Sequence, residues 1–473
     1  ELSVSVADNM SGANITTIKD AVLNYAALEQ NETVVLADTL NHGGILNAQD
    51  GFVSNIKIDN LVGNGGWIYL DTDKDSQKSD VLTVSNSLTG SVNVSIKDID
   101  DIAGKDAKIV FAQTNADQST DDYDFKFNFD DSVFVGQINS VVSNNIREWY
   151  LNYDGEIRRE AYNSVILPRA MVEQTRDIRL DTSRNNNSPR IRYEYGYRNT
   201  LRKVDDKNKK VSLWVNPVYR QASMSAMAES NADIWGVDFG LNMNITPSSK
   251  TGLLVSYRKG SYDKDGTSGE FYTRGAGDLD ISSTLVGLYY NKYFSRFYFS
   301  GMVYGGEQKA DMSATDNNVS ASAKALQAGA KVEAGYEAPV TDRFSITPLA
   351  SASYDYIKID DSTDSSGKTA SYDAIQDVEL EAGLKFGYKF NNDHQLPTNG
   401  YIKTSAVQLL ENGGKVQIKN VEFDTLKNET AGRLEIGGEA ALLENFVVGG
   451  FGNYTIGSDY SGFAVGGNVR YTW

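Results

Sequence analysis

Few residues in this sequence have the types and the spacing that catalysis or metal binding requires. The sequence has two histidines, His42 and His394, and no cysteine. Two isolated histidines give no convincing catalytic triad or zinc site, and the absence of cysteine excludes thiol catalysis and a disulfide scaffold. The serine-hydrolase elbow, the phosphate loop and the His-Glu-x-x-His motif are also absent from the sequence. We therefore expect no enzymatic activity and no bound cofactor, and we place both histidines in turns.

The best approximation to a metal site is a run of alternating aspartates, Asp71, Asp73 and Asp75. Alternating carboxylates begin the calcium-binding loop of helix–loop–helix proteins, which continues with a glycine and ends with a glutamate. That glycine and that glutamate are missing here. We therefore predict a solvated turn and no metal site.

The overall composition excludes some classes of protein. The 473 residues carry a net charge of −18 and the isoelectric point is about 4.7, so repulsion of phosphate argues against nucleic-acid binding. Mean hydropathy is −0.40, and no run of about 18 apolar residues predicts a membrane-spanning helix. A β-barrel membrane protein is compatible with these values, because its apolar residues alternate with polar ones. The 27 tyrosines and 42 glycines suit the aromatic girdles and turns of such a barrel.

The C-terminal residues alternate between apolar and polar side chains, which is typical of a two-faced β-strand. The apolar face would hold Phe463, Val465, Val469, Tyr471 and Trp473. For this strand alone, an ordinary soluble sheet is the alternative. Residues 234–245, 377–390 and 433–442 alternate in the same way, and in the last two segments the second face is strongly charged. Buried carboxylates would each cost several kcal/mol in a small soluble core unless paired, whereas a water-filled lumen removes that cost.

About twelve segments of this kind follow one another in the second half of the chain. Their approximate centres are residues 215, 240, 255, 285, 300, 330, 350, 383, 403, 436, 450 and 468. An even number of strands closes an up-and-down barrel with both ends on one side. The sequence therefore predicts a twelve-stranded antiparallel outer-membrane β-barrel. Residues 190–210 contain a further strand-like run that does not fit this count.

Two other kinds of segment precede the barrel. Residues 1–150 hold short strand-like runs divided by Asn, Gly and Asp, which predicts a β-solenoid or a sandwich. Residues 13–28 could form an amphipathic helix or one more rung of a solenoid. Residues 155–184 are rich in helix formers and lack period-two alternation, which predicts a helix. Pro168 would kink this helix or open a second one.

Five runs in the first third of the chain point to a family. They are Gly63-Asn-Gly-Gly-Trp-Ile-Tyr-Leu-Asp-Thr-Asp, Ser79-Asp-Val-Leu-Thr-Val, Leu88-Thr-Gly-Ser-Val-Asn-Val, Ala107-Lys-Ile-Val-Phe-Ala-Gln and Arg147-Glu-Trp-Tyr-Leu. Followed by a helix, a barrel and a C-terminal aromatic, they resemble the monomeric (type Va) autotransporters of the AIDA and pertactin type. The resemblance implies an all-β chain of three domains. Residues 1–153 would be a passenger stub, a short right-handed β-helix with an autochaperone cap, 154–189 a linker helix, and 190–473 the translocator barrel. So short a passenger implies that most of it is missing from this sequence.

The resemblance also implies that the linker helix threads the barrel lumen. About 25 helical residues span about 37 Å at 1.5 Å per residue, enough to cross a bilayer. Arginines of the helix would then face carboxylates of the barrel wall. These residues are Arg169, Arg176 and Arg179 on the helix, and Glu379, Glu381, Glu435 and Glu439 on the wall. A solvated charged face is the alternative explanation of the arginines.

The function that the resemblance implies is secretion of the chain's own N-terminal passenger to the surface of a Gram-negative cell. The autochaperone cap, with Trp67 and Trp149, would fold outside and bias export. Some relatives cleave their linker between two asparagines, for which Asn144-Asn145 is the candidate here. The C-terminal strand ending at Trp473 would be the assembly signal of the barrel.

The partners expected from the resemblance are outer-membrane lipid and lipopolysaccharide, the β-barrel assembly machinery and periplasmic chaperones. We expect a monomer in the outer membrane, with the passenger stub at the cell surface and no nucleic-acid partner. Two alternatives remain open. One is a general porin, and the other is a surface adhesin or virulence passenger that the barrel anchors.

Overall fold

β-strands make up nearly all the regular structure in the residues that the computed structural model of the protein describes. The described residues are 3–6, 10–103, 107–115, 123–127, 132–176, 178, 211–225, 230–246, 248–263, 273, 277–314, 319–390, 398–443 and 445–473. They divide into two compact units, Glu1–Arg158 with Lys419–Val421, and Arg159–Ile418 with Glu422–Trp473.

The first unit contains thirteen strands in its described residues and one short 3-10 turn, Ile99–Asp101. The strands are β1 Ser3–Val6, β2 Asn14–Thr17, β3 Val22–Tyr25, β4 Thr33–His42, β5 Ile45–Asn47, β6 Asn55–Leu70, β7 Thr72–Asp73, β8 Lys78–Ser79, β9 Val81–Ile96, β10 Lys108–Asn115, β11 Tyr123–Phe127, β12 Phe134–Ser143 and β13 Ile146–Ile157.

Most of these strands stack in parallel, as the rungs of a solenoid do. β4 pairs with β6 and β6 with β9, all in parallel, so that Val34, Ile56 and Leu82 lie above one another in a buried column. The interval between these three residues is 22 in the first step and 26 in the second. Most of the difference comes from the connections, because residues 71–80 between β6 and β9 include the extra strands β7 and β8, whereas residues 48–54 connect β5 directly to β6. Bulges change the interval by one further residue within each pair of strands, so no fixed repeat is visible in the sequence.

The predicted β-solenoid is therefore confirmed, and the sandwich alternative is wrong. The helical alternative for residues 13–28 is also wrong, because this stretch holds β2 and β3. In β3, Leu23 and Tyr25 stand at alternate positions and are buried in the stack. Parallel pairing with β4 and β5 satisfies the backbone of β2 and β3.

An antiparallel cap closes this unit after the last parallel pairing. β13 pairs with both β10 and β12 in antiparallel register. Ser143 and Ile146 are paired, and between them Asn144 and Asn145 adopt φ values of 51° and 64°. Positive φ at both central residues is the signature of a two-residue type I′ hairpin turn, for which Asn is favoured.

The second unit begins with one helix, α1 Arg159–Thr175, and continues with seventeen strands in its described residues. The strands are β14 Val211–Met224, β15 Ser230–Thr246, β16 Ser249–Asp263, β17 Gly277–Phe294, β18 Phe297–Ala314, β19 Val319–Tyr336, β20 Ala338–Pro339, β21 Phe344–Ile359, β22 Ser362–Thr363, β23 Thr369–Tyr372, β24 Ile375–Lys389, β25 Thr398–Asn412, β26 Val416–Ile418, β27 Val421–Phe423, β28 Glu429–Leu443, β29 Phe446–Ile456 and β30 Tyr460–Thr472.

Twelve long strands of this unit form a closed antiparallel barrel. Each pairs with the next along the chain, and the last one, β30, pairs back onto the first, β14. The midpoints of all twelve lie within six residues of the predicted centres. A second, small sheet contains four short strands, β22, β23, β26 and β27. The first two belong to the connection between β21 and β24, and the last two to the connection between β25 and β28.

Alternation of side chains separates the two faces of the barrel wall. In β15, Phe239, Leu241 and Met243 are 41–50% exposed on the outer face, whereas Asp238 and Asn242 between them are buried on the inner face. Exposed aromatics also mark both ends of the outer face, with Trp235 near one end and Phe297 and Trp473 near the other. The inward polar and outward apolar faces are those that the sequence predicts.

The helix is shorter than the sequence predicts at its N-terminal side. Glu156 and Ile157, which we expected within the helix, belong to β13, where Ile157 pairs with Phe134. Backbone pairing in the hairpin therefore overrides local helix propensity at these residues. Pro168 lies inside one continuous helix of 17 residues, which spans about 26 Å at 1.5 Å per residue. The predicted continuation to residue 184 lies outside the described residues apart from 176 and 178, and so does segment 190–210.

No helix in the described ranges has the length and apolar character needed to span a membrane.

Candidate functional site in the barrel lumen

The inner face of the barrel surrounds α1. Gln308 donates a hydrogen bond from Nε2 to the carbonyl of Met171 at 3.1 Å, and the Tyr262 hydroxyl donates to the carbonyl of Ala170 at 2.8 Å. Gln174 in turn donates to the carbonyl of Ile281 at 3.0 Å. Nearly every side chain of the helix is buried. The helix is therefore packed into the lumen, as predicted, and does not present a solvated face.

A group of oppositely charged side chains joins the helix to three strands on one side of the lumen. We call it the luminal charge cluster. Its members are Arg169, Glu173 and Arg176 on α1, Arg220 on β14, Glu411 on β25 and Tyr460 on β30.

Glu173 is the centre of this cluster and is fully buried. Its Oε1 atom lies 3.0 Å from Nη2 of Arg176 and 3.5 Å from Nη2 of Arg169, and its Oε2 atom lies 2.5 Å from Nη2 of Arg220. Glu411 forms ion pairs with both helix arginines, at 2.9 Å to Arg176. The two carboxylates thus share three guanidinium groups in a place with almost no water.

The ring of Tyr460 completes the cluster from the barrel wall. It lies 5.7 Å from the guanidinium carbon of Arg169, 5.4 Å from that of Arg176 and 6.0 Å from that of Arg220. Its hydroxyl accepts a hydrogen bond from Arg220. A tyrosine face attracts cations when water is excluded, so Tyr460 compensates part of the positive charge that the two carboxylates leave.

The helix arginines have different carboxylate partners from those that we predicted. Among the described residues, Arg169 and Arg176 pair with Glu173 and Glu411 rather than with the four predicted wall glutamates. Arg179 lies outside the described residues.

The four predicted glutamates lie on the inner wall, where neighbouring strands supply partners. Arg433 pairs with Glu379 at 2.9 Å, and Lys403 pairs with Glu381 at 2.9 Å. Glu435 accepts a hydrogen bond from Tyr401 at 2.6 Å, and Glu439 lies 3.5 Å from Arg470. Strand alternation correctly placed these carboxylates inside but carried no information about cations on other strands.

Sequence reasoning missed Glu411, Arg220 and Tyr460. Glu411 is the penultimate residue of β25 and is followed by a long polar connection, so the sequence pattern does not show that it belongs to a strand. The spacing of Arg169, Glu173 and Arg176, at i, i+4 and i+7, is a signal that could have identified Glu173, because such residues share one helix face.

The two tryptophans predicted to belong to the autochaperone lie in the first unit. Trp149 is in β13, where its ring meets Phe125 edge-on at 5.3 Å and its Nε1 atom lies 3.4 Å from Oγ1 of Thr114. Trp67 is in β6 and stacks on Tyr69 at 6.0 Å. Asn144 and Asn145 form the tight turn of the cap, fifteen and fourteen residues before α1 begins at Arg159.

His42 lies in the solenoid stack and not in a turn. It is the last residue of β4 and is fully buried. Its Nε2 atom lies 2.9 Å from the carbonyl oxygen of Trp67, and its Nδ1 atom lies 2.9 Å from Oγ1 of Thr17. The carbonyl can only accept, so Nε2 carries the proton and Nδ1 accepts from the threonine hydroxyl. Burial lowers the pKa of His42 below its usual value of 6.5. His394 lies outside the described residues.

The three alternating aspartates do not act as one group. Asp71 is buried and accepts a hydrogen bond from the backbone N–H of Gly51 at 2.6 Å, and burial raises its pKa. Asp73 is half-buried and accepts from the backbone N–H of Asp75 at 3.1 Å, an arrangement typical of a turn. In the described residues, no three acidic or histidine side chains are grouped to hold a metal ion. The solvated turn therefore describes Asp73 and Asp75, but not Asp71.

The C-terminal strand β30 lies on the closing seam of the barrel, between β29 and β14. Its five predicted signal residues all face outward and are 37–52% exposed. They are Phe463, Val465, Val469, Tyr471 and Trp473. The backbone N–H of Trp473 donates to the carbonyl of Val211 at 3.1 Å, which holds the last residue against the first residue of the barrel.

Comparison with known families agrees with this architecture. Residues 213–455, more than half of the chain, match the family described as Autotransporter beta-domain. The chain belongs to the autotransporter family. Residues 33–153 of this autotransporter match the family described as Pertactin. No curated protein is similar enough in sequence to count as a match.

Solved structures share the fold of this autotransporter. The translocator domain of the autotransporter NalP from Neisseria meningitidis aligns over 65% of this chain and 99% of its own, with a TM-score of 0.51 and 10% identity. The β-domain of the Bordetella autotransporter BrkA covers 56% of this chain and 100% of its own, at 16% identity and a TM-score of 0.46. The transport unit of AIDA-I from Escherichia coli covers 58% and 93%, at 12% identity and a TM-score of 0.46.

Family membership gives the barrel its location and its role. This autotransporter resides in the bacterial outer membrane, and its barrel mediates secretion of the passenger that precedes it in the chain. The outer face of the barrel is therefore the lipid-facing face. The end where Val211 and Trp473 meet carries the barrel's termini and is the periplasmic end, since the longest connections lie at the opposite end.

Proposed function

We propose that α1 is the segment that remains in the lumen when secretion is complete, and that the luminal charge cluster holds it there. The observation that carries this proposal is the burial of Glu173 among three arginines, of which two belong to the helix and one to β14. Removing one partner from a buried ion pair is strongly destabilising. A helix with this charge pattern therefore has one favoured position along the lumen axis, and the chain stops there.

The antiparallel cap is proposed to act as the autochaperone of the passenger. A hairpin closed by a two-residue Asn-Asn turn forms from contacts that are local in sequence, so it can fold early. Trp149 then joins β13 to Phe125 of β11, a strand that pairs with β9 of the solenoid. Folding of this cap outside the cell would oppose backward movement of the chain and bias export without a source of ATP.

Replacement of Trp149 by Ala tests the autochaperone proposal. The substitution removes the edge-on contact with Phe125 and the hydrogen bond to Thr114. We expect slower arrival of the passenger at the surface, measured by its accessibility to added protease, with unchanged amounts of folded barrel. Tyr150→Ala on the same strand is the control, because Tyr150 lies on the opposite face. Equal surface arrival in wild type and W149A would contradict the proposal.

The proposal also includes the molecules with which the barrel interacts. We infer that the β-barrel assembly machinery engages β30, whose lipid-facing residues end in Trp473, and that periplasmic chaperones carry the chain to it. Lipid and lipopolysaccharide would contact the outer face, and the barrel would act as a monomer. Linker cleavage at Asn144-Asn145 is not part of the proposal, because both residues serve a turn within the cap.

We propose that the chain itself has no enzymatic activity. A general porin is the less favoured alternative, because α1 occupies the lumen that a porin would leave open for solutes. The adhesin alternative concerns the passenger and is compatible with the proposed mechanism, since anchoring follows secretion. Its test is binding of the purified passenger segment to host-cell surfaces, with the barrel alone as the control.

A further inference from the structure

Four glycines form a continuous row across neighbouring strands of the barrel. Gly400 on β25 lies opposite Gly438 on β28, Gly438 lies opposite Gly450 on β29, and Gly450 lies opposite Gly467 on β30. We call these residues the glycine row. All four stand at lipid-facing positions, as shown by exposed residues two positions away such as Ile402, Ile436 and Val465.

Packing does not require glycine in the half of the row that is nearest to the seam. A Cβ atom on Gly450 would meet no atom nearer than 3.5 Å, and one on Gly467 none nearer than 3.7 Å. Neither residue has a positive φ angle. Glycine within a strand weakens it, because it adds backbone entropy to the unfolded chain and contributes no side-chain packing. These two glycines therefore reduce the stiffness of the wall without a steric need.

The closing seam is interrupted at the level of the row. The register between β14 and β30 passes from Val215–Val469 directly to Val218–Gly466. Pro217 lies in this gap and has no N–H to donate to a ladder. In the gap, the strands are joined by a hydrogen bond between side chains, from Nδ2 of Asn468 to Oδ1 of Asn216 at 2.5 Å.

The gap divides the seam into two unequal parts. The periplasmic part has four paired positions, from Ser212–Thr472 to Val215–Val469. The part toward the cell surface has seven, from Val218–Gly466 to Met224–Tyr460. We call the periplasmic part the lower seam and the part toward the cell surface the upper seam. Fewer backbone hydrogen bonds hold the lower seam than the upper seam. The glycine row is a place at which the strands of the lower seam can bend.

We propose that the glycine row is a bending line of the barrel wall, at which the periplasmic ends of β28, β29 and β30 swing outward and open the lower seam while the upper seam stays paired. The inference goes beyond the proposed role of the helix. Opening at this place widens the lumen on the side from which the passenger enters, without unzipping the whole barrel.

Hydrogen exchange of the full chain in lipid bilayers tests the proposal. The variant is Gly450→Val with Gly467→Val, which adds β-branched, lipid-compatible side chains where space exists. The matched control is Gly432→Val, on the same face of β28 but in its upper half, where a Cβ atom would meet nothing within 4 Å. The single variants Gly450→Ala and Gly467→Ala replace the double variant if it does not fold.

The wild-type amides of the lower seam are expected to exchange at least about tenfold faster than those of the upper seam, because local opening sets the exchange rate. The double variant should slow lower-seam exchange by about tenfold and leave the upper seam unchanged. G432V should behave as wild type. Fraying of the C-terminus alone would give fast lower-seam exchange that the glycine substitutions do not alter, and that result would overturn the proposal. Equal slowing by G432V would overturn it too.

Discussion

Replacement of Glu173 by Gln should loosen α1 within the lumen. Gln has nearly the same shape as Glu, so the substitution removes a charge and leaves packing in place. Three guanidinium groups, on Arg169, Arg176 and Arg220, lose the carboxylate that all of them contact. Glu411 remains as a partner for the two helix arginines, whereas Arg220 loses its ion pair with Glu173.

The size of the effect follows from burial. One ion pair at about 4 Å is worth about 4 kcal/mol at an effective dielectric constant of about 20. Part of this energy is offset, because the desolvation cost of Glu173 disappears with its charge. Measured losses on removing one partner of a buried pair are about 3–5 kcal/mol, and the amide oxygen of Gln retains one hydrogen bond. We therefore expect a loss of about 3 kcal/mol, which is a factor of about 150 in the equilibrium between docked and released helix.

Hydrogen exchange of the α1 amides measures this equilibrium directly. The E173Q variant should show about 150-fold faster exchange across the helix than wild type. Glu307→Gln is the control, since Glu307 pairs with Lys309 on an exposed part of β18, and it should leave helix exchange unchanged. The double variant E173Q/R220Q should recover part of the loss, because the buried charge of Arg220 is then removed together with the carboxylate that pairs with it. Unchanged helix exchange in E173Q would refute the assignment of the cluster as the anchor of the helix.

Two further predictions concern the ends of the chain. Burial lowers the pKa of His42, so this residue binds fewer protons in the folded passenger unit than in the unfolded chain and should cost up to about 1.4 kcal/mol of stability per pH unit below 6.5. Burial raises the pKa of Asp80 to about 7, which acts in the opposite direction, so the measurement is the difference between wild type and His42→Gln in urea unfolding at pH 8 and pH 5. Wild type should lose stability relative to H42Q on acidification, and the same pH dependence in both proteins would contradict the lowered pKa. Deletion of Trp473, whose N–H bonds to Val211 and whose ring is 52% exposed to lipid, should reduce the amount of heat-resistant barrel in the outer membrane several-fold. Normal barrel levels without Trp473 would count against its role in assembly.

The barrel could be predicted from the sequence because the same physical constraint acts on every strand of its wall. Each wall strand separates lipid from a polar lumen, so apolar and polar residues alternate over its whole length, as in residues 234–245 and 377–390. The solenoid was less clear, since connections of different length change the interval between stacked residues from 22 to 26. Its buried columns, such as Val34 with Ile56, become visible only when the rungs are aligned in space.

The partners within the lumen could not be predicted in the same way. Alternation places Glu379 and Glu381 inside the barrel, but their partners come from other strands, Lys403 from β25 and Arg433 from β28. Glu411 was hidden because the polar residues that follow β25 made its end look like a loop. Long-range pairs of this kind depend on the shear of the barrel, which the pattern of a single strand does not contain.

The start of the helix shows a similar limit. Glu156 and Ile157 have neighbours that favour a helix, yet a hairpin partner, Phe134 on β12, takes Ile157 into a strand. Local propensity amounts to tenths of a kcal/mol per residue, and a complete antiparallel ladder outweighs it.

Single-channel conductance of the full chain in planar bilayers tests the central claim, that α1 closes the barrel after secretion. The full chain should conduct only a small current, and a variant that lacks Arg159–Thr175 should show large, stable openings, because the lumen that held the helix becomes filled with water. Equally large openings in the full chain and in the deletion variant would contradict the claim.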